Sequence, residues 1–126
     1  MDAQGSRWGR LTQRAEFQRV GKGRRIGAGA FTLQANARAA QASAPGPRIG
    51  LTVTKKTGNS PVRNRIRRRL REAMRRVSPM DARADFDYVL MARRDALTLA
   101  FDALVADIAA AIGRAHTPRP ARDGRS

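Results

Sequence analysis

The segment at residues 55–77, KKTGNSPVRNRIRRRLREAMRRV, constrains this chain more than any other stretch. Gly58 and Asn59 make a turn, Ser60 is placed to cap the first free N–H groups, and Pro61 falls at the first helical position, where its missing donor costs nothing. From there Val62, Ile66, Leu70, Ala73, Met74 and Val77 recur at steps of three and four, and at 100° per residue they form one stripe. The pattern predicts a helix docked on a core. Its other faces are cationic: Lys55, Lys56, Arg63, Arg65, Arg67, Arg68, Arg69, Arg71, Arg75 and Arg76 share the segment with one acid, Glu72. Asn64, Arg68, Arg71 and Arg75 point away from the stripe, Arg65, Arg69 and Arg76 flank one side, Arg67 the other, and Arg63 lies near its edge. Like charges three or four residues apart weaken an isolated helix by roughly 0.2–0.5 kcal/mol per pair. A solvated face would mix signs; this one awaits a counter-charge.

The bias extends to the whole chain. Lys and Arg number 26 against 10 Asp and Glu, a formal net charge of +16 with a pI near 12.0. Clustered base at such a pI is the electrostatic footprint of a nucleic-acid binder, and the dominance of Arg over Lys suits bidentate phosphate contacts. The 126 residues allow one modest core. The absence of cysteine excludes disulfides, thiolate metal sites and cysteine nucleophiles, and fits a reducing cytoplasm. No stretch approaches the ~18 apolar residues of a membrane span, and the first ten residues contain no apolar signal segment, so a soluble cytoplasmic protein is expected.

Residues 1–10 read as a loose basic N-terminus and residues 11–20 as a short helix, with Thr12 as its cap and Leu11, Phe17 and Val20 as contacts. Residues 21–30, GKGRRIGAGA, read as a flexible cationic connection, since the glycines match neither the dinucleotide fingerprint nor a phosphate loop. Alternation predicts strands at residues 31–36 (Phe31, Leu33, Ala35 inward) and 48–54 (Ile49, Leu51, Val53 inward), separated by a loop with the breaker Pro45-Gly46-Pro47. A polar loop at residues 78–85 precedes a strand at 86–92, whose nearly unbroken apolar run suits coverage on both faces. Thr98 then caps a helix striped by Phe101, Leu104, Val105, Ile108 and Ile112 and ended by Gly113. The order α-β-β-α-β-α predicts an α+β fold, a small two-layer sandwich with a sheet of three to four strands. Residues 11–113 form its single domain, and residues 114–126 a disordered basic tail.

A protein active site is hard to assemble from these residues. His116 is the only histidine and falls in the expected tail. Asp81, Asp85 and Asp87 lack the calcium-loop pattern and are expected to be solvated, Asp87 on a strand's outer face. Phe17 and Phe31 alone read as core. The arginine helix favours nucleic acid, and the classes weighed on that ground are a ribosomal or other structural RNA-binding protein, a DNA-binding architectural protein and, more distantly, a self-sufficient nuclease.

The run from Lys55 to Arg75 closely resembles the signature of the bacterial ribonuclease P protein family: lysines, a Gly-Asn turn, then Arg-Asn-Arg and further basic residues on a helix. Here these are Lys55, Lys56, Gly58, Asn59, Arg63, Asn64, Arg65, Arg67, Arg68 and Arg71. The likeness spans roughly residues 10–113. It implies an α-β sandwich with an uncommon left-handed β-α-β crossover, against the usual preference. It also implies association with one large catalytic RNA in a heterodimeric ribonucleoprotein that removes the 5′ leader of precursor tRNA, the chemistry belonging to the RNA and its Mg²⁺ ions. By resemblance, Lys55, Lys56, Arg63, Asn64, Arg65, Arg67, Arg68, Arg71 and Arg75 would contact RNA, and Phe17, Lys22, Phe31, Thr52 and Thr54 would border the cleft for the single-stranded leader. Gly21 and Gln34 stand where relatives often carry aromatics, so the implied cleft stacks less.

Overall fold

The structure is a computed structural model and describes residues 8–38, 46–78 and 82–117. Its strands are β1 (Gly9–Arg10), β2 (Arg24–Gly27), β3 (Phe31–Ala37), β4 (Arg48–Thr52) and β5 (Phe86–Ala92). The helices are α1 (Arg14–Gly21), α2 (Ser60–Arg76) and α3 (Phe101–Ala115), with single 3₁₀ turns at Lys55–Thr57 and Arg94–Leu97. The strands form one mixed sheet in the order β1-β4-β5-β3-β2. β5 lies at its centre, antiparallel to β3 and parallel to β4, which accounts for its unbroken apolar run. Because β4 and β5 are parallel neighbours, the chain must cross over between them, and α2 is that crossover.

Pleating sorts the side chains. Phe31, Leu33, Ala35, Tyr88 and Leu90 form the main core with Ile66, Leu70, Ala73 and Met74 of α2 and Leu104, Ile108 and Ile112 of α3. On the other face Val89 packs with Leu11 and Val20, beside Phe17 and Met91. The expected sandwich is therefore present, with α1 as a partial third layer.

The sheet has five strands where three to four were expected, because two segments without apolar alternation join it. Residues 9–10, expected to be loose, pair with β4, anchored by Trp8, whose indole N–H donates to the Val77 carbonyl at 3.1 Å and whose ring meets Tyr88 edge-on. Residues 24–27, expected to be a flexible connection, are β2, paired with β3 through Ile26 opposite Leu33. Gly23 makes that approach possible, since a Cβ there would lie 2.1 Å from the Ala35 carbonyl oxygen.

Helix boundaries also shift. The cap of α1 is Gln13 rather than Thr12; Glu16 reaches back to accept from both the Thr12 and Gln13 N–H groups, at 3.1 and 3.0 Å. The α3 helix starts after Ala100, not Thr98, which instead closes the preceding 3₁₀ turn, and it continues past Gly113 to Ala115. The Arg24 guanidinium stabilises that end by donating to the Ala115 carbonyl at 3.1 Å and to that of Thr117. His116, expected in a disordered tail, packs edge-on against Phe86, with Nε2 2.5 Å from the Tyr88 hydroxyl. The rest of the expected N-terminal and C-terminal tails, Pro45 and Asp81 lie outside the described residues.

Candidate nucleic-acid interface

Asn59, not Ser60, caps α2: its side-chain oxygen accepts from the Val62 N–H at 3.1 Å, and Ser60 and Pro61 open the first turn. Gly58 sets the approach with φ of 148°, and any Cβ there would lie within 2.7–2.9 Å of Val62 and Arg94. Arg94 uses that space to donate to the Thr57 carbonyl at 2.9 Å. Ile66, Leu70, Ala73, Met74 and Val77 are buried as the stripe predicts. The helix is thus tied down at its start and along its apolar side.

Its arginines divide into two groups. Arg65, Arg68, Arg71, Arg75 and Arg76 are exposed, as is Asn64. Among the described residues Arg65, Arg68 and Arg71 make no side-chain hydrogen bond or ion pair, so each guanidinium keeps its donors for a ligand. Arg75 and Arg76 sit 3.6 and 3.5 Å from Glu72, loose exposed pairs, and Arg76 also lies over the Phe101 ring. The remaining three donate to acceptors of the protein itself. Arg69 donates to the Ala96 carbonyl at 2.6 Å and to that of Leu99, closing the turn before α3. Half-buried Arg67 donates to Asn64 Oδ1 at 2.9 Å, and Arg63 to Ser60 Oγ at 3.1 Å. Lys55 and Lys56 are exposed on the turn leading into α2 and continue the cationic ridge.

The expected cleft residues do not all come together. Phe17 is half-buried on α1, over Gly50, where a Cβ would lie 2.6 Å from its ring. Thr52 lies opposite Met91, on the same side of the sheet as Phe17, with Thr54 and Lys22 exposed nearby in sequence. Phe31 faces the other way. It is fully buried between the sheet and the α2–α3 layer, so its ring offers no surface to a base. Gln34 is buried beside Gly21, filling the space an aromatic side chain there would need. Two cations not anticipated from sequence lie on the Phe17 side of the sheet: Arg93 donates to Thr32 Oγ1 at 3.2 Å, and Arg25 lies against Met91 Sδ at 4.0 Å. For Arg25 no local signal was available, since RRIG at 24–27 shows no apolar alternation.

Asp87 corrects a further expectation. It is fully buried, and its carboxylate accepts from Arg48 at 2.7 and 2.9 Å, Arg19 at 2.5 Å and Arg38 at 3.2 Å. Burial favours its protonated form, but the hydrogen bonds from Arg48, Arg19 and Arg38 outweigh that effect and hold its pKa below the ordinary value. Arg48 also pairs with Glu16 at 3.0 Å, whose pKa is lowered chiefly by the Gln13 N–H. With Asn36 donating to the Arg19 carbonyl at 2.8 Å, this network clamps α1 to the sheet and so sets where Phe17 stands. Among the described residues no three His, Cys, Asp or Glu side chains gather as a metal site. No described helix is long and apolar enough to cross a membrane.

The Ribonuclease P family profile matches residues 6–116. The ribonuclease P protein component of Ruegeria pomeroyi is 43% identical over 111 residues, covering 87% of this chain and 88% of that protein. That of Gluconacetobacter diazotrophicus is 47% identical over 100 residues, covering 79% and 84%. Among solved structures, the RNase P protein of Staphylococcus aureus matches with a TM-score of 0.67 at 24% identity, covering 85% of this chain and 94% of that one. The RNase P protein from Thermotoga maritima gives 0.68 at 22%, covering 83% and 96%. These two share the fold. A cationic helix used as a crossover, a five-stranded mixed sheet and a profile match across nearly the whole domain place this chain in the ribonuclease P protein family.

Proposed function

We propose that the chain is the protein subunit of ribonuclease P, a cytoplasmic ribonucleoprotein endonuclease of tRNA processing. In this reading it binds one catalytic RNA and the 5′ leader of precursor tRNA, and assists Mg²⁺-dependent hydrolytic removal of the leader. The observation that carries the reading is the set of unpaired guanidiniums on α2, Arg65, Arg68 and Arg71, exposed on a helix whose opposite side is locked into the core. Two RNAs brought side by side repel through their phosphates, and fixed cations between them remove that repulsion without having to be ordered on binding. Lys55, Lys56, Arg75 and the Arg63 end of the helix extend the contact. Phe17, Thr52, Thr54 and Lys22 border the path of the leader, where stacking tolerates any sequence. Arg67 acts through Asn64, which it orients.

Mg²⁺ held by the catalytic RNA would supply Lewis-acid chemistry for the attacking water and the leaving oxygen. Among the described residues no three His, Cys, Asp or Glu side chains gather to hold it. The residues of this chain contribute by lowering phosphate repulsion, which lets the RNA fill its own metal sites at lower Mg²⁺. The test is reconstitution: the protein added to the catalytic RNA at low Mg²⁺ should stimulate cleavage of precursor tRNA. Absence of stimulation would overturn the proposal and leave a ribosomal or other structural RNA-binding role.

A further inference from the structure

A groove of about 560 Å³ opens between α2 and the outer edge of β4. It lies within the ~300–1,000 Å³ range of small-ligand clefts, large enough for one nucleotide and too small for a duplex. Its walls combine Trp8, Leu51 and Met74 with the guanidiniums of Arg10, Arg71 and Arg75. Of the residues proposed to face the leader only Phe17 lines it, beside Leu11 and Gly50; Thr52, Thr54 and Lys22 do not. We propose that this groove binds one unstacked nucleotide of single-stranded RNA, base inward and phosphates on the arginines, as a second contact beside the α2 row. The inference rests on the proposed RNA-binding role and adds a site to it.

Three features favour a nucleotide. Trp8 is held rigid by its hydrogen bond to Val77 and its edge-on contact with Tyr88, so a base stacking there orders no further side chain. β1 ends at Arg10, the Leu11 N–H still donates to the Ile49 carbonyl at 3.1 Å, and among the described residues no strand pairs with β4 beyond Ile49 on that side, which leaves an open sheet edge beside the groove. The side chains of Arg10 and Arg71 make no hydrogen bond or ion pair among the described residues, and Arg71 joins the groove to the exposed arginines of α2. A second copy of the chain is a poor occupant, since each carries a formal charge of +16.

Trp8 is the only tryptophan, so its emission reports on this groove alone. Pentaadenylate titrated into the full-length protein should quench Trp8 and bind roughly ten-fold more tightly than a five-unit abasic ribose-phosphate chain, given ~1–3 kcal/mol per stacked base. Arg10→Ala, at an exposed residue, should keep the circular dichroism spectrum and weaken pentaadenylate binding several-fold. Equal affinity for the two chains, unchanged Trp8 emission at saturation, or hexaglutamate quenching as tightly as pentaadenylate would each overturn the proposal. The same preparation, assayed with catalytic RNA at low Mg²⁺, separates the two ideas. Stimulated cleavage without base-dependent quenching removes the groove and leaves the subunit role; base-dependent quenching without stimulation keeps the groove and removes the subunit role.

Discussion

Asp87→Asn is predicted to be the most damaging conservative change in the domain. The parent carboxylate is fully buried under four hydrogen bonds from three guanidiniums, and the amide keeps its shape while deleting its charge. Arg19, Arg38 and Arg48 would then converge on an uncharged amide, with Glu16 still paired to Arg48. Removing one partner from a buried ion pair costs about 3–5 kcal/mol. At about 4 °C per kcal/mol for a domain of this size, the thermal midpoint should fall by roughly 12–20 °C. Circular dichroism melts at pH 7 provide the measurement. A drop of less than about 4 °C would refute the reasoning, because the network would then be worth no more than a surface pair. The pH dependence gives an independent check. Since the folded pKa of Asp87 lies below its unfolded value, near 3.9, its contribution is present above that pH and is lost as pH falls through the folded value. Acid should therefore destabilise the parent more steeply than the Asn variant.

Replacing Arg65, Arg68 and Arg71 together with alanine should flatten the slope of log K against log salt for RNA binding by roughly 2, at about 0.7 per single-strand phosphate contact; an unchanged slope would remove these residues from the interface. Asn59→Ala should cost about 1 kcal/mol in denaturant unfolding through loss of the α2 cap, whereas Ser60→Ala should cost much less. The His116 pKa is lowered, by burial first and then by Arg83 and Arg24, so its share of stability is present above the unfolded value near 6.5 and fades as pH falls through the folded one. An NMR titration of this single histidine should give a midpoint below 6.5.

The elements legible in sequence were those whose burial leaves a period. The stripe of α2 and the apolar run of β5 are local patterns, and both segments form the elements they predict. β1 and β2 carry no such pattern because they are edge strands, held through neighbours: Gly9 opposite Arg48, and Arg24 to Gly27 along β3. Asp87 looked like a solvated strand residue because its partners lie 39, 49 and 68 positions away, beyond any local signal. A lone acid in the central strand of so basic a chain was nevertheless a hint that arginines would gather on it. The wheel identified the exposed arginines of α2, but not that Arg69 turns inward, because its acceptors, the Ala96 and Leu99 carbonyls, belong to a turn 27 and 30 residues on. Phe31 is plain core, as alternation alone suggests.

The position of β5 has a consequence for how the polypeptide is made. It is the last strand in the chain yet sits between β4 and β3, so every nascent chain shorter than about Ala92 has a sheet with its middle missing. By then α2 has been synthesised but lacks the strand that follows it and the α3 helix it packs against. On a translating ribosome this unfinished product presents a strongly cationic ribbon close to ribosomal RNA. Prompt arrival of residues 86–92 is then what separates productive closure from capture by the nearest polyanion.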